Sequence, residues 1–254
     1  MIYFVGAGPG DVDLITVKGA KLLREADIIV YAGSLVNPAL LEQAKPGAVI
    51  YNSASMTLEE VLAVLIEGSK QGKMVVRLHT GEPSLYGAIQ EQLDALAKEG
   101  IPTEVVPGVS SAFAAAAAIK RELTLPEISQ TVIFTRMAGR TPVPEKENLA
   151  SLAAHRATMA IFLSISQIEA VVAALLAGGY APQTPVAVVQ KASWPDEKIV
   201  LGRLEDIAEK VREAGIAKTA MILVGDAVAT GDYAASRLYH ASFSHGYREA
   251  ANCK

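Results

Sequence analysis

Short apolar runs rich in valine and isoleucine alternate with longer segments of helical period along this chain of 254 residues. Strands buried on both faces of a sheet read as continuous apolar runs, so the alternation predicts an α/β protein with mainly parallel sheets. The first half of the chain contains five such runs, at residues 2–6, 27–31, 47–51, 73–79 and 103–106. The second half contains five more, at residues 131–135, 158–163, 186–191, 197–202 and 219–225.

Helical stripes lie between the predicted strands. Thr57 and Glu60 have the spacing of a capping box and precede a clear apolar stripe, which predicts a helix there. A second helix is predicted from about Ser84, and a third in the alanine-rich residues 109–119. In the second half, stripes begin at Ile168 and at about residue 204.

The alternation is interrupted at residues 121–130, RELTLPEISQ, where a proline occurs and the periodicity is lost. We therefore predict two domains, residues 1–121 and residues 122–254. The second is expected to end in a polar, aromatic tail from Gly231 that lies over the surface.

Charge and cysteine content narrow the function classes. The 23 basic and 27 acidic side chains give a net charge of −4, so no global positive field is available for nucleic acid or an anionic membrane. The single cysteine, Cys253, excludes an intramolecular disulfide and a cysteine-based zinc site.

The N-terminal residues lack the basic leader of a secretory signal, and the longest uncharged window, residues 170–190, is broken by glycine and proline. We expect a cytoplasmic protein that does not span a membrane.

The sequence GAGPGD, which we call the glycine loop (residues 6–11), follows the first predicted strand. Glycines there let backbone N–H groups approach a ligand closely. A dinucleotide fingerprint would need a third glycine where Asp11 stands and an acidic residue at the end of strand two, where the chain reads YAGSLV. NAD binding is therefore disfavoured. The alternative is a tight strand-to-helix turn with no ligand.

Two further loops follow predicted strands in the same way. HTGEPSLYGA begins with the threonine loop (residues 79–84), where Glu82 could accept hydrogen bonds from ligand hydroxyls; alternatively, Ser84 caps the next helix. VPGVSSAFAAAAA contains the serine loop (residues 107–111), with Gly108 and two serines at a helix start. Carboxyl ends of parallel strands open on one edge of a sheet, so the three loops together predict a ligand site.

Other chemistry has weaker signals. The four histidines lack metal-ligand spacing, so we predict no metal site. The chain also contains no nucleophile elbow and no phosphate-binding P-loop. Arg136 and Arg140 lie in a proline-rich loop, either simply solvated or able to hold carboxylates. Trp194 is either a packing residue or the wall of a cleft.

Four segments in this order resemble the tetrapyrrole methyltransferases of cobalamin and sirohaem synthesis: GAGPGD, VVRLHTGEPSLYGA, VVPGVSSAFAA and TPVAVVQKASWPDEKIV. The resemblance extends from Met1 to about Arg248. Within that family, YAGSLV, TRMAGRTPVPE, KASWPDEKIV and FSHGYRE are most similar to the members that methylate precorrin-4 at C-11.

The resemblance implies two α/β domains of the class III S-adenosylmethionine (SAM) methyltransferase type, with SAM in the cleft between them and commonly a homodimer. It implies transfer of the SAM methyl group to C-11 of precorrin-4 or its cobalt complex, with S-adenosylhomocysteine (SAH) as product. The implied cofactor contacts are Pro9, Thr80, Gly81, Glu82, Leu85, Ser110, Ser111, Leu163, Ala192 and Ala220. Our candidates for holding substrate carboxylates are Arg77, Arg136 and Arg140.

The chain departs from related uroporphyrinogen methyltransferases at two positions. Those enzymes carry an acidic residue after strand two and a lysine after strand three, where this chain has Gly33 and Asn52. The family's usual aspartate is Glu82 here. We therefore name no catalytic base, because an electron-rich tetrapyrrole is itself the nucleophile and the protein need mainly align it with the sulfonium.

Three rival functions stay open at this point. One is another regiospecificity, such as methylation of uroporphyrinogen III at C-2 and C-7 or of precorrin-3 at C-17. The others are a non-catalytic tetrapyrrole- or SAM-binding module and a nicotinamide oxidoreductase.

Overall fold

The first half of the chain folds around a five-stranded sheet in the computed structural model, which describes residues 1–33, 35–229 and 233–250. All its strand pairs are parallel, and their spatial order is β3-β2-β4-β1-β5. The strands are β1 (Ile2–Gly6), β2 (Ile28–Tyr31), β3 (Val49–Asn52), β4 (Val75–His79) and β5 (Thr103–Val106).

The second half contains another five-stranded sheet, of order β6-β7-β10-β8-β9. Its strands are β6 (Val132–Arg136), β7 (Thr158–Phe162), β8 (Pro185–Gln190), β9 (Lys198–Arg203) and β10 (Ala220–Val224). β7 is parallel to β6 and antiparallel to β10. Each strand lies within two residues of its predicted bounds, and the predicted α/β class is confirmed.

Helices cover both faces of the first sheet. One face packs against Leu23, and the other against Leu65 and Leu96, all of them fully buried. The helices of the first half are α1 (Val17–Glu25), α2 (Leu58–Lys70), α3 (Gln90–Lys98) and α4 (Ser111–Ala118). Those of the second half are α5 (Leu149–Ala153), α6 (Ile168–Ala177) and α7 (Ile207–Glu213). The predicted capping box of α2 is present, with reciprocal bonds between Thr57 and Glu60.

The prediction of a helix from Ser84 is wrong, because α3 begins at Gln90. Tyr86 and Ala88 have φ angles of +56° and +49°, in the left-handed region, so the α-helical ladder cannot run through them. Gly87 permits the tight turn between them, since a Cβ there would lie 2.1 Å from the carbonyl oxygen of Pro83. The alternative in which Ser84 caps the next helix is also wrong.

The chain divides into two compact units. The first contains Met1–Ala118, Val189–Ile199 and Thr219–Met221, and the second contains Ile119–Val188, Val200–Lys218 and Ile222–Lys254. The boundary after residue 121 stays a prediction. Gly231, where the predicted tail begins, and Cys253 lie outside the described residues. In the described part of the chain, the helices lack the combination of length and apolar character needed to cross a bilayer.

Candidate active site

Three loops lie side by side at the carboxyl ends of β4, β1 and β5. β1 is central and pairs with both neighbours, so the glycine loop lies between the threonine loop and the serine loop. The N–H of Ala7 donates to the carbonyl of His79 at 2.7 Å, and the N–H of Gly81 donates to the carbonyl of Gly8 at 2.9 Å. The first bond continues the parallel pairing of β1 with β4, and the second belongs to an antiparallel bridge between Gly8 and Gly81. Together they fix the spacing of the glycine loop and the threonine loop.

Glycine is required where the three loops touch. A Cβ on Gly6 would lie 2.6 Å from the Cα of Gly108 and 2.6 Å from the carbonyl oxygen of Gly81. A Cβ on Gly108 would lie 2.1 Å from that same oxygen. Gly81 itself has a φ of +59°, which favours glycine for a separate reason. The glycines therefore permit backbone-to-backbone packing of the loops.

Glu82 connects two of the loops through its carboxylate. One oxygen accepts a hydrogen bond from the N–H of Gly108 at 2.8 Å, and the other accepts from the N–H of Ser84 at 2.9 Å. A carboxylate oxygen can accept more than one hydrogen bond, so these bonds leave acceptor capacity for a ligand. Direct contact between Glu82 and a cofactor stays a prediction, whereas its bonds to the serine loop are part of the protein's own structure.

Thr80 has a buried hydroxyl, Oγ1, with no hydrogen-bond partner among the described residues. Buried polar atoms in folded proteins are almost always paired, so an orphan needs an explanation. A ligand that bonds this hydroxyl supplies one, and Thr80 was predicted as a cofactor contact. Two other predicted contacts, Ser110 and Ser111, lie at the start of α4; Ser110 is buried and its Oγ accepts from the N–H of Ala112 at 3.3 Å.

Trp194 packs on the glycine loop, as the first of its two interpretations predicts, and its role as the wall of a cleft stays a prediction. Its Nε1–H donates to the carbonyl of Pro9 at 2.9 Å. A Cβ on Gly10 would lie 2.0 Å from Cδ1 of the indole, so the ring contacts the backbone directly. Residues 191–197, which we call the tryptophan turn, belong to the same compact unit as the three loops.

Sequence reasoning missed two further side chains that hold the glycine loop. Asn37 donates from Nδ2 to the carbonyl of Gly10 at 2.7 Å, and Ser193 accepts through Oγ from the N–H of Asp11 at 3.0 Å. Ser193 lies in the segment KASWPDEKIV that carries the family resemblance, but that segment has no motif of defined chemistry, and Asn37 lies in no predicted strand or helix. No signal in the sequence could have paired them with a loop that is 27 and 182 positions away.

Left-handed backbone marks the three implied contacts from the second half of the chain. Leu163 has this conformation itself, Ala192 lies between two such residues, and Ala220 follows one. The φ angles are +54° at Leu163, +49° at Lys191, +70° at Ser193 and +54° at Thr219. Non-glycine residues in this region store strain, which concentrates at functional sites.

Two of these segments are joined directly. The N–H of Lys191 donates to the carbonyl of Thr219 at 2.8 Å, so the neighbours of Ala192 and Ala220 are bonded to each other. Leu163 lies at the end of β7, in the second unit, with 64% of its surface exposed. Packing within the protein does not explain why an exposed leucine adopts a strained backbone conformation.

Burial argues against Arg77 as a ligand for substrate carboxylates. Its side chain is 6% exposed and donates to Oε1 of Gln92 at 3.1 Å and to the carbonyl of Val30 at 3.2 Å. Burial lowers the pKa of this guanidinium to about 10, which still leaves it charged at neutral pH. A guanidinium at this depth is not presented to a substrate arriving from solvent.

The two other candidate arginines differ from each other. Arg136 donates to three carbonyls of the loop that follows it, those of Met137, Thr141 and Pro142, at 3.3, 3.1 and 2.7 Å. The side chain of Arg136 therefore holds together the loop that follows it. Arg140, within that loop, is exposed. Of the three predicted cations, Arg140 is the one whose placement best suits an incoming carboxylate.

Gly33 and Asn52, which replace the acid and lysine of related enzymes, are adjacent in space. A Cβ on Gly33 would lie 1.7 Å from Oδ1 of Asn52, so the amide occupies the space that a side chain at position 33 would need. The same oxygen accepts from the N–H of Ala54 at 2.9 Å. The two departures therefore fit together as a pair, and neither residue is an acid or base.

The protein is expected to lose stability in mild acid because His79 is buried in its neutral form. Desolvation, with a smaller contribution from the charge of Arg77, lowers the pKa of this 3% exposed imidazole from 6.5 to about 3. Between these values the unfolded chain binds a proton that the folded chain does not, so the free energy of unfolding falls as the pH drops. We expect this residue to remove about 2 kcal/mol between pH 6.5 and pH 5.

Urea unfolding of the wild type and His79→Gln at pH 7 and pH 5 measures this effect. The variant should lose less stability on acidification than the wild type. His155→Gln, at an exposed histidine, is the control and should retain the wild-type dependence. An unchanged pH dependence in His79→Gln would show that His79 is not the responsible group.

Comparisons with known proteins agree on one family. The model of the tetrapyrrole (corrin/porphyrin) methylases matches residues 1–208. The cobalt-precorrin-4 C(11)-methyltransferase of Methanocaldococcus jannaschii is 61% identical over 249 residues, which cover 98% of this chain and 96% of that protein.

Two solved structures are similar over nearly the same extent. A cobalt precorrin-4 methyltransferase of cobalamin biosynthesis has a TM-score of 0.88 and 52% identity, covering 90% of this chain and 96% of its own. The uroporphyrin-III C-methyltransferase of Thermus thermophilus, complexed with S-adenosylhomocysteine, has a TM-score of 0.75 and 30% identity, covering 89% and 92%. With its loops, its sheet order and these similarities taken together, the chain belongs to the tetrapyrrole methylases.

Proposed function

We propose that this protein transfers a methyl group from SAM to C-11 of precorrin-4 or of its cobalt complex and releases SAH. The 61% identical relative is named for this reaction, which supports the choice of substrate and position. The observation on this chain that carries the proposal is the buried hydroxyl of Thr80, which has no partner in the described part of the chain and lies where the three loops converge. It offers a hydrogen-bonding group for a cofactor in the place that family resemblance predicts.

Rigid positioning is the main contribution of this chain's residues. SAM, when bound, supplies a methyl group on a positively charged sulfur, which is already a reactive donor. Glu82 fixes the threonine loop against the serine loop, while Trp194 and Asn37 fix the glycine loop. Holding reactants in alignment can contribute roughly 7 to 11 kcal/mol to catalysis. We propose Pro9 and Gly81 as further cofactor contacts on these fixed loops.

The remaining implied cofactor contacts fall into three groups. Leu85 follows directly on the threonine loop, and its N–H donates to the carbonyl of Glu82 at 3.2 Å. Ser110 and Ser111 belong to the serine loop. The last group comprises Leu163, Ala192 and Ala220, in or beside left-handed backbone. We retain all of them as proposed contacts.

Substrate recognition requires cations, because the tetrapyrrole carries many carboxylates. Exposed Arg140 is our first candidate for such a contact, and Arg136 acts by shaping the loop that carries it. We assign no general base, since Gly33 and Asn52 stand where related enzymes have ionisable groups. A proton released after methylation is expected to leave to water.

We also propose that the protein acts as a homodimer in the cytoplasm. Family resemblance supports the dimer, and the single cysteine supports a reducing compartment. Sedimentation equilibrium of the purified chain measures its mass directly. A monomer at micromolar concentration would contradict the dimer.

Methyl transfer with labelled SAM tests the proposed reaction. The protein is incubated separately with precorrin-4, cobalt-precorrin-4, uroporphyrinogen III and precorrin-3, and the labelled carbon of each product is located by NMR. We expect label at C-11 of precorrin-4 or its cobalt complex. Label at another ring carbon would establish a different regiospecificity, and SAM binding without label in any tetrapyrrole would indicate a binding module.

Thr80→Val separates stability from cofactor affinity. Valine has nearly the shape of threonine and lacks the unpaired hydroxyl, so we expect the free protein to be unchanged or more stable by about 1 kcal/mol. Affinity for SAH should instead fall about tenfold, because the cofactor loses a hydrogen bond. Thermal unfolding without ligand and calorimetric titration with SAH measure the two effects. Unchanged SAH affinity would remove Thr80 from the cofactor site.

A further inference from the structure

Three consecutive residues of the glycine loop each have a backbone group that is bonded to a side chain from elsewhere in the chain. The carbonyl of Pro9 accepts from Trp194, and the carbonyl of Gly10 accepts from Asn37, at 2.9 and 2.7 Å. The N–H of Asp11 donates to Ser193 at 3.0 Å. Two of these three bonds come from the tryptophan turn.

A glycine-rich loop needs such support more than other loops do. Glycine loses more conformational freedom on ordering than any other residue, so an unsupported segment of this composition would sample many conformations. The indole contributes a second restraint, because it lies in direct contact with the backbone of Gly10. The tryptophan turn therefore restricts the loop both by hydrogen bonding and by packing.

The tryptophan turn is itself held in a strained shape. Lys191 and Ser193 both have positive φ angles. The N–H of Ser193 donates to Oε2 of Glu197 at 2.7 Å, and Lys191 pairs with Asp196 while its Nζ lies 5.6 Å from the centroid of the indole. Strained backbone persists only where surrounding contacts hold it. These contacts present the indole N–H to the glycine loop in one orientation.

We propose that Trp194 is a positioning residue, which acts with Ser193 to hold the glycine loop in its SAM-binding conformation before the cofactor arrives. The inference rests on the proposed function, since it assumes that this loop binds SAM. Ordering a binding loop in advance removes an entropic cost from binding, so its loss weakens affinity. The cost of ordering the loop is the same for the bound cofactor and for the transition state, so losing the support weakens the binding of both equally. KM for SAM therefore rises while kcat is maintained.

Trp194→Phe tests this role with little change in packing. Phenylalanine retains an aromatic ring against Gly10 but has no N–H for the carbonyl of Pro9. We expect the Kd for SAH and the KM for SAM to rise about threefold to tenfold, the effect of losing one such hydrogen bond. We expect kcat to stay within about twofold of the wild type. Without ligand, the amide of Asp11 should exchange its hydrogen faster.

Tyr180→Phe is the matched control in the second unit. It also removes one buried side-chain-to-backbone bond, from the tyrosine hydroxyl to the carbonyl of Ala157, and keeps the ring. It should lower the melting temperature without changing the Kd for SAH or the exchange rate at Asp11. If a general loss of stability were enough to weaken SAH binding, the Kd for SAH would rise in both variants. A positioning role raises the Kd only in Trp194→Phe.

The wild type supplies an independent readout, because Trp194 is its single tryptophan. We expect SAH to shift the tryptophan emission with the same Kd that calorimetry measures. Wild-type SAH affinity in Trp194→Phe, or unchanged exchange at Asp11, would overturn the inference and leave the proposed function intact. Failure of the wild type to bind SAH or SAM would instead contradict the proposed function.

Discussion

Replacing Gly108 with alanine is expected to eliminate measurable SAH binding and to lower the free energy of unfolding by about 3 kcal/mol. The added Cβ would lie 2.1 Å from the carbonyl oxygen of Gly81 and 2.8 Å from the Cα of Gly6. Both are backbone atoms of neighbouring loops, so no side-chain rotation relieves the overlap. The serine loop must move away from the other two, and the bond from its N–H to Glu82 is lost.

Urea unfolding and calorimetric titration with SAH measure the two parts of this effect. Gly246→Ala is the control, because a Cβ there meets no heavy atom of the described residues within 4 Å and its φ angle is not positive. We expect that variant to stay within about 0.5 kcal/mol of the wild type and to bind SAH normally. Normal SAH binding by Gly108→Ala would show that the contact between the loops is not needed for the cofactor site.

Glu82→Ala should cause the second largest loss of SAH affinity, after Gly108→Ala. Its carboxylate accepts from the N–H groups of Gly108 and Ser84, and hydrogen bonds to charged groups contribute about 1.5 to 3 kcal/mol each. Because the Ser84 end is open to solvent, we expect a total loss of about 3 kcal/mol in the free energy of unfolding. SAH affinity should fall at least tenfold, since the threonine loop is no longer tied to the serine loop.

Glu82→Gln and Glu91→Ala complete that experiment. Glutamine retains the size of the side chain and one acceptor oxygen, so it should lose roughly half as much stability as alanine. Glu91 is exposed in the first turn of α3, and its replacement should change neither stability nor SAH affinity appreciably. Equal losses in Glu82→Ala and Glu91→Ala would contradict the connecting role of Glu82.

Much of the fold could be predicted because local chemistry and tertiary structure agree over most of the chain. Apolar runs such as residues 2–6 form strands, since a parallel sheet covered on both faces has room only for apolar side chains there. The Thr57 capping box forms as predicted, because its bonds join residues three positions apart. The prediction failed at Ser84, where left-handed residues delay α3 although the apolar spacing continues.

The candidate site was predictable only in part. The pattern of strands followed by small and polar residues indicated which loops lie at one sheet edge. It did not indicate that Gly6, Gly81 and Gly108 touch one another, or that both oxygens of Glu82 are bonded within the protein. The buried position of Arg77 was also missed, because an arginine in an apolar strand gives no sign of the glutamine that will pair with it.

The order of residues along this chain, taken alone, determined its α/β class, the ten strands of its described residues and its family, because these depend on local periodicity and contiguous motifs. Tertiary structure alone decided how the glycine loop is supported, since the indole of Trp194 and the carbonyl of Pro9 are 185 positions apart. It also left the hydroxyl of Thr80 buried without a protein partner among the described residues. Such pairings depend on which strands become neighbours, and no local stretch of sequence contains that information.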